Sequence, residues 1–82
     1  MENDSILLIT GGTGSFGNAV LDRVLSMPLK EIRIFSRDED KQDALRRRVN
    51  NPKVKFYIGD IRDRRSVENV VRGVDYIFMQ RH

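Results

Sequence analysis

The stretch Ser5-Ile-Leu-Leu-Ile-Thr-Gly-Gly-Thr-Gly-Ser-Phe-Gly17 decides the fold of this chain. The apolar run from Ile6 to Ile9 predicts a buried strand, and the glycines that follow predict a tight turn into a helix. Glycine suits such a turn because it adopts positive φ and leaves the backbone open to a ligand. The free N–H groups at the start of the helix favour a pyrophosphate, so this stretch points to nucleotide binding.

The glycine spacing fits two dinucleotide-binding patterns at once. Gly12, Gly14 and Gly17 fit G-x-G-x-x-G. Thr10 and Gly11, followed by Gly14 and Gly17, fit T-G-x-x-G-x-x-G. The spacing alone is a weak signal, but its position between a strand and a helix favours dinucleotide binding over a purely structural glycine-rich turn.

Hydrophobic spacing beyond the turn predicts three helices. They run from Ser15 to Met27, from Asp38 to Val49, and from Asp63 or Ser66 to Gly73. Pro28 ends the first helix, and Asp38 is a suitable N-cap for the second. The apolar stripe of the second helix is restricted to Ala44, Leu45 and Val49, so most of that helix is expected to face water.

Four apolar segments predict strands at about residues 5–10, 32–36, 54–58 and 74–79. The connections between them force parallel pairing, and parallel crossovers are right-handed. The resulting β-α-β-α-β-α-β order is that of half a doubly wound parallel sheet, the Rossmann type of α/β fold. We therefore expect residues 1–82 to form the N-terminal part of one dinucleotide-binding domain.

Composition narrows the class of protein. The 82 residues include no cysteine, which excludes a disulfide framework and a thiolate metal site. The run from Ile6 to Ile9 is far shorter than the ~20 residues of a membrane span. Glu2 and Asp4 stand where a signal peptide would carry basic residues. These features predict a soluble, cytoplasmic chain without a membrane partner.

The net charge of +3 raises the question of nucleic-acid binding, because the arginines cluster at residues 46–48 and 62–65. Acidic residues are interspersed among them, as on the outer faces of helices. No aromatic side chains interleave with the arginines to form a stacking platform for bases. We therefore favour solvated helix faces, with a small basic nucleic-acid-binding module as the alternative.

Ser36 and Arg37 follow the second predicted strand, where NAD-specific domains carry an acidic residue against the ribose 2′-hydroxyl. An arginine binds a 2′-phosphate there through charge-assisted hydrogen bonds, and Lys41 adds a second positive charge. This pattern favours NADP over NAD. The alternative is that Arg37 is an ordinary arginine of a surface loop. The negative charge of the adjacent Asp38 also opposes the binding of a 2′-phosphate.

Asp60 and Ile61 follow the third predicted strand. The carboxylate is suited to accept a hydrogen bond from the adenine amine, and the isoleucine is suited to pack on the ring. The alternative is a simple turn, since Gly59-Asp60 is a common turn pair.

The sequence predicts no catalytic residue and no metal site. His82 is the last residue, and Tyr57 and Tyr76 lack a lysine four positions later. No serine or cysteine has a nearby base, and no cluster has metal-ligand spacing. We expect a chain that holds a cofactor without performing chemistry on a substrate.

Three stretches resemble the extended short-chain dehydrogenases/reductases. They are Thr10-Gly-Gly-Thr-Gly-Ser-Phe-Gly17, Ile32-Arg-Ile-Phe-Ser-Arg-Asp-Glu39 with Lys41-Gln42, and Phe56-Tyr-Ile-Gly-Asp-Ile-Arg-Asp63. Within that family they are most similar to the inverting UDP-N-acetylglucosamine 4,6-dehydratases of bacterial surface-polysaccharide biosynthesis. The resemblance covers about residues 5–78, and Ser36-Arg-Asp-Glu39 is its most specific part.

The resemblance implies a tightly held NADP that oxidises the sugar at C4 before water is lost across C5–C6, with inversion at C5. It also implies a role for each matched residue. Gly11, Gly14, Ser15, Phe16 and Gly17 would line the pyrophosphate. Ser36, Arg37 and Lys41 would hold the 2′-phosphate, and Asp60 and Ile61 the adenine. A related sugar-nucleotide epimerase or reductase is the alternative enzyme.

The sequence departs from this family after Phe78. The family continues with His-Ala-Ala-Ala-Leu-Lys and with the catalytic and sugar-nucleotide regions, whereas this chain has Met79-Gln-Arg-His82. The codons TTT CAT GCA GCG GCA TTG AAA, with one T lost, encode Phe-Met-Gln-Arg-His-stop. We therefore expect a frameshifted remnant without a substrate domain, with a genuine short protein as the alternative. Such a remnant would expose its fourth strand and self-associate.

Overall fold

The computed structural model describes residues 4–11 and 15–79, with side chains for residues 4–11 and 17–79. Its elements are β1 (Ile6–Thr10), α1 (Ser15–Val24), β2 (Glu31–Ser36), α2 (Glu39–Val49), β3 (Val54–Ile58), α3 (Arg64–Val71) and β4 (Tyr76–Met79). Strands and helices alternate along the chain. The predicted α/β class is therefore confirmed.

The strands form one parallel sheet in the order β3-β2-β1-β4. β1 is interior, and Leu7, Leu8 and Ile9 are all buried. Side chains of adjacent strand residues point to opposite faces, so both faces of β1 must be covered. The order confirms the prediction of half a doubly wound sheet.

Helices on the two faces bury two separate clusters of apolar side chains. On one face, Leu7 and Ile9 pack in a cluster with Leu21 of α1 and Leu45 of α2. On the opposite face, a smaller cluster joins Leu8, Phe35 and Val70, the last from α3. This sandwich of sheet between helices positions the carboxyl ends of β1, β2 and β3 at one edge.

Several elements differ from the prediction at one end, among them α1 and β4. α1 ends at Val24, and Met27 lies beyond it in a turn. The N–H of Met27 donates to the carbonyl of Val24 at 3.0 Å. β4 begins at Tyr76 because the preceding residues are held in a turn. There the N–H of Val74 donates to the Val71 carbonyl at 3.0 Å.

The prediction of which α2 residues face the sheet is wrong at one position. Ala44 is exposed, whereas Gln42 is 1% exposed and lies with Leu45 among the buried residues of the helix. Residues three apart share a helix face, so Gln42 and Leu45 point toward the sheet together. A polar side chain therefore occupies the place where an apolar one was expected.

Candidate functional site

The tips of the first three strands are tied together by backbone hydrogen bonds. The N–H of Gly11, just beyond β1, donates to the carbonyl of Phe35 at 3.0 Å. The N–H of Gly59, just beyond β3, donates to the carbonyl of Ser36 at 3.0 Å. These bonds bring the loops after the three strands to the edge of the sheet where ligands bind in open α/β folds.

A cleft of about 450 Å³ lies at this edge. It is lined by Thr10, Gly11, Phe35, Ser36, Arg37, Gly59, Asp60, Ile61 and Arg62. Five of the residues singled out from the sequence therefore line the same cleft: Gly11, Ser36, Arg37, Asp60 and Ile61. They come from three different strand tips, which is the arrangement that a nucleotide laid across those tips requires.

The other candidate residues lie elsewhere or outside the described part of the chain. Gly14 lies outside the described residues. Ser15 and Phe16 begin the backbone of α1, and Gly17 is buried one residue further along that helix. Lys41 is exposed in the first turn of α2 and does not line the cleft.

Gly11 has a φ of 68°, in the left-handed region. A side chain at this position would be strained, whereas glycine adopts this conformation without cost. The positive φ expected of the turn after β1 is thus present at its first residue.

Asp60 contacts two arginines of the cleft. Its carboxylate accepts hydrogen bonds from the backbone N–H of Arg62 at 2.9 Å and from Nη2 of the same residue at 2.8 Å. Nη1 of Arg37 lies 3.6 Å from Oδ2 of the same carboxylate. Chiefly through its side-chain hydrogen bond, Arg62 lowers the pKa of Asp60 to about 2. The carboxylate is therefore ionised, and acts as an acceptor only, at physiological pH.

Asp38, the acidic neighbour of Arg37, is the N-cap of α2. Its Oδ1 accepts a hydrogen bond from the backbone N–H of Lys41 at 2.9 Å. Carboxylates are stabilised in this position by the free N–H groups and the dipole of the helix. The carboxylate of Asp38 therefore interacts with the N-terminus of α2.

Sequence reasoning singled out neither Arg62, which lines the cleft, nor Gln42, which contacts the cleft residue Ser36. Nε2 of Gln42 donates to Oγ of Ser36 at 2.9 Å and to the carbonyl of Tyr57 at 2.8 Å, so Gln42 joins β2 to β3. The sequence does hold a signal for the burial of Gln42, because Gln42, Leu45 and Val49 share the i, i+3, i+7 spacing of one helix face.

The clustered arginines are largely paired within the chain. Arg46 lies 2.9 Å from Asp43, and Arg48 lies 3.2 Å from Asp22. Arg64 lies 3.3 Å from Glu68 on the same helix. Such pairs are the pattern of solvated helix faces, which was the favoured interpretation of these clusters.

Residues 4–11 and 15–79 contain no helix long and apolar enough to cross a bilayer. Within the same ranges, acidic, histidine and cysteine side chains form no group arranged to hold a metal ion.

Comparison with known sequences identifies a protein family that matches this chain and several similar proteins. The family described as "Polysaccharide biosynthesis protein" matches residues 7–80. The chain is 61% identical over 79 residues to a protein named UDP-glucose 4-epimerase from Rickettsia bellii, covering 92% of this chain and 23% of that protein. A protein of the same name from Rickettsia akari is 60% identical with the same coverage. The chain thus spans about a quarter of the length of these relatives.

Solved structures with the same fold include Pen from Bacillus thuringiensis. It superposes with a TM-score of 0.87 at 37% identity, covering 92% of this chain and 23% of that one. A structure described as a 3-oxoacyl-reductase from Bacillus thuringiensis has a TM-score of 0.75 at 16% identity, covering 95% of this chain and 36% of that one. At that identity the second likeness shows the fold alone.

Proposed function

The chain belongs to the polysaccharide biosynthesis protein family, and we propose that it is the NADP-binding part of an enzyme that modifies a UDP-sugar. The observation that carries this proposal is the cleft itself. Gly11, Ser36, Arg37 and Asp60 line it together, at the sheet edge where doubly wound folds hold dinucleotides.

The charges around Arg37 support the proposal of NADP over NAD. Its side chain is 68% exposed, so its guanidinium is accessible to a phosphate. The neighbouring carboxylate of Asp38 caps α2, and the carboxylate of Asp60 comes from the adjacent strand tip. An acidic residue that selects the 2′-hydroxyl of NAD would stand at the tip of β2, where this chain has Ser36 and Arg37.

Each part of the nucleotide has a proposed set of residues. The pyrophosphate would lie against Gly11, Gly14, Ser15, Phe16 and Gly17. Ser36 and Arg37 would hold the 2′-phosphate, with Lys41 supplying a longer-range charge from the first turn of α2. Asp60 would accept a hydrogen bond from the adenine amine, and Ile61, which is 50% exposed, would pack against the ring.

For the reaction of the whole enzyme, we propose the inverting 4,6-dehydration of UDP-N-acetylglucosamine in bacterial surface-polysaccharide biosynthesis. The second candidate is 4-epimerisation of a UDP-sugar, favoured by the names of the Rickettsia relatives. When bound, the nicotinamide supplies the hydride acceptor for oxidation at C4, a step that both reactions share. This chain alone would bind the cofactor without turning over the sugar. We also propose that the enzyme acts in the cytoplasm.

Nucleotide binding by the 82-residue chain tests the proposal. We expect NADP+ to bind more tightly than NAD+ or AMP in a calorimetric titration, and to raise the melting temperature more at equal concentration. A short DNA duplex is the comparator. DNA binding that falls steeply with salt, without any preference among nucleotides, would support the nucleic-acid alternative and contradict the proposal.

A further inference from the structure

We infer that Gln42 is a positioning residue that turns the Ser36 hydroxyl into a hydrogen-bond donor toward the cleft, and so sharpens the choice of NADP over NAD. This inference rests on the proposed function and goes beyond it, because Gln42 itself does not line the cleft.

The carbonyl of Tyr57 fixes which way the Gln42 amide points. A backbone carbonyl only accepts hydrogen bonds, so the group facing it at 2.8 Å must be the NH₂ group rather than the oxygen. The same Nε2 lies 2.9 Å from Oγ of Ser36. Oγ of Ser36 is therefore the acceptor of this second bond.

The direction of that bond orients the serine hydroxyl. A serine hydroxyl has one proton and two lone pairs, and Gln42 occupies one of the lone pairs. The proton must then point away from Gln42. Among the described residues, the structure records no acceptor for it. Since Ser36 lines the cleft, the hydroxyl is left with a proton to donate to a ligand there.

This donor discriminates between the two cofactors. The oxygens of a phosphate dianion only accept hydrogen bonds, so a fixed donor complements a 2′-phosphate. The 2′-hydroxyl of NAD both donates and accepts, so it tolerates either orientation of the serine. Loss of Gln42 should therefore weaken NADP binding more than NAD binding.

The burial of Gln42 argues that its amide has more than a packing role. The side chain is 1% exposed, and its Oε1 is buried without a partner among the described residues. A buried unpaired acceptor lowers stability, and an apolar side chain of similar size would avoid that cost. Compared with an apolar side chain, the amide of Gln42 provides two hydrogen bonds, from Nε2 to Ser36 and to Tyr57.

A double-mutant cycle on the 82-residue chain tests the inference. Gln42→Met keeps the length of the side chain and removes the amide. We expect it to weaken NADP+ binding about five-fold and to change NAD+ binding less than two-fold, as for the loss of one oriented hydrogen bond. In a Ser36→Ala background, Gln42→Met should cause no further loss of selectivity, because the effect passes through that hydroxyl.

Several results would overturn the inference. One is an equal loss of NADP+ and NAD+ affinity in Gln42→Met, which indicates a structural role only. Another is an effect that persists in the Ser36→Ala background. These outcomes leave the proposed function intact, whereas failure of the unaltered chain to bind NADP+ refutes both proposals.

A second measurement decides the matter if Gln42→Met does not fold. In the unaltered chain, the side-chain amide protons of Gln42 should shift in NMR spectra when NADP+ is added. The shift should be smaller with NAD+ at equal saturation. Equal shifts with both cofactors would contradict the inference.

Discussion

Nη1 of Arg37 lies 3.6 Å from Oδ2 of Asp60, which places a residue proposed to hold the 2′-phosphate against one proposed to hold the adenine. Nη2 of Arg62 contacts the same Asp60 oxygen at 2.8 Å. An exposed ion pair at such a distance contributes little to stability. A phosphate can therefore replace Asp60 as the partner of Arg37, while Arg62 continues to neutralise the carboxylate.

Arg37→Ala should lower the affinity for NADP+ by about ten-fold or more, since hydrogen bonds between charged groups contribute about 1.5–3 kcal/mol. The affinity for NAD+, which lacks the 2′-phosphate, should change little. Titration calorimetry with both nucleotides measures the difference. Arg47→Ala, which removes an exposed arginine of α2, is the control for net charge. Parallel losses of NADP+ affinity in the two variants would refute a specific role for Arg37.

The pKa of Asp60 gives a prediction about acid titration. A carbon-13 NMR titration of this carboxyl should show a midpoint near pH 2, well below the ordinary value of 3.8. Because the folded pKa is lowered, the stability that the ionised carboxylate contributes is present above about pH 4 and is lost as the pH falls through about 2. In Arg62→Ala the midpoint should rise toward 3.8, whereas Arg64→Ala serves as the control. An unchanged midpoint in Arg62→Ala would show that another group lowers the pKa.

Strand positions and the ligand-binding edge could be predicted because they depend on local patterns. A run of apolar residues such as Leu7 to Ile9 needs cover on both faces, and short connections leave only parallel pairing. The meeting of Ser36, Arg37 and Asp60 at one edge follows from that topology. The candidate site therefore lies at the predicted edge of the sheet because the fold brings these strand ends together.

Polar groups that act inside the structure could not be predicted in the same way. Helical spacing places Gln42 on the same face as Leu45, but it does not identify the two hydrogen-bond partners of Gln42, which are separated from it by 6 and 15 residues. Arg33 is similar: in the middle of β2, it donates to the carbonyls of Val70 and Arg72 at the end of α3. Such contacts depend on three-dimensional packing, which periodicity along the chain does not contain.

Gly59→Ala should destabilise the chain, because glycine at this strand tip is packed against Phe35. A Cβ at position 59 would lie 2.5 Å from Cε1 of Phe35 and 3.0 Å from Cβ of Ser66. Phe35 is 3% exposed and cannot move into solvent without losing its packing. We expect a loss of about 1–3 kcal/mol in the free energy of unfolding, measured by urea denaturation.

The same clash can be tested by a second substitution. Phe35→Leu removes the ring, so Gly59→Ala should cost less in that background than in the unaltered chain. The two substitutions should show a coupling of about 1 kcal/mol or more. Strictly additive effects would mean that the ring is not what excludes a side chain from position 59.

Ile77→Lys should reduce self-association. β4 stands at the end of the strand order, and its side chains include Ile77 and Met79, which are 51% and 52% exposed. An apolar edge strand pairs readily with another chain, and a lysine there opposes pairing through charge repulsion and hydration. Sedimentation velocity across a concentration series should show a dissociation constant at least ten-fold higher for Ile77→Lys than for the unaltered chain. Met27→Lys adds the same charge at an exposed position outside β4 and should leave association unchanged. Equal weakening by both variants would mean that net charge, rather than pairing at this edge, controls association.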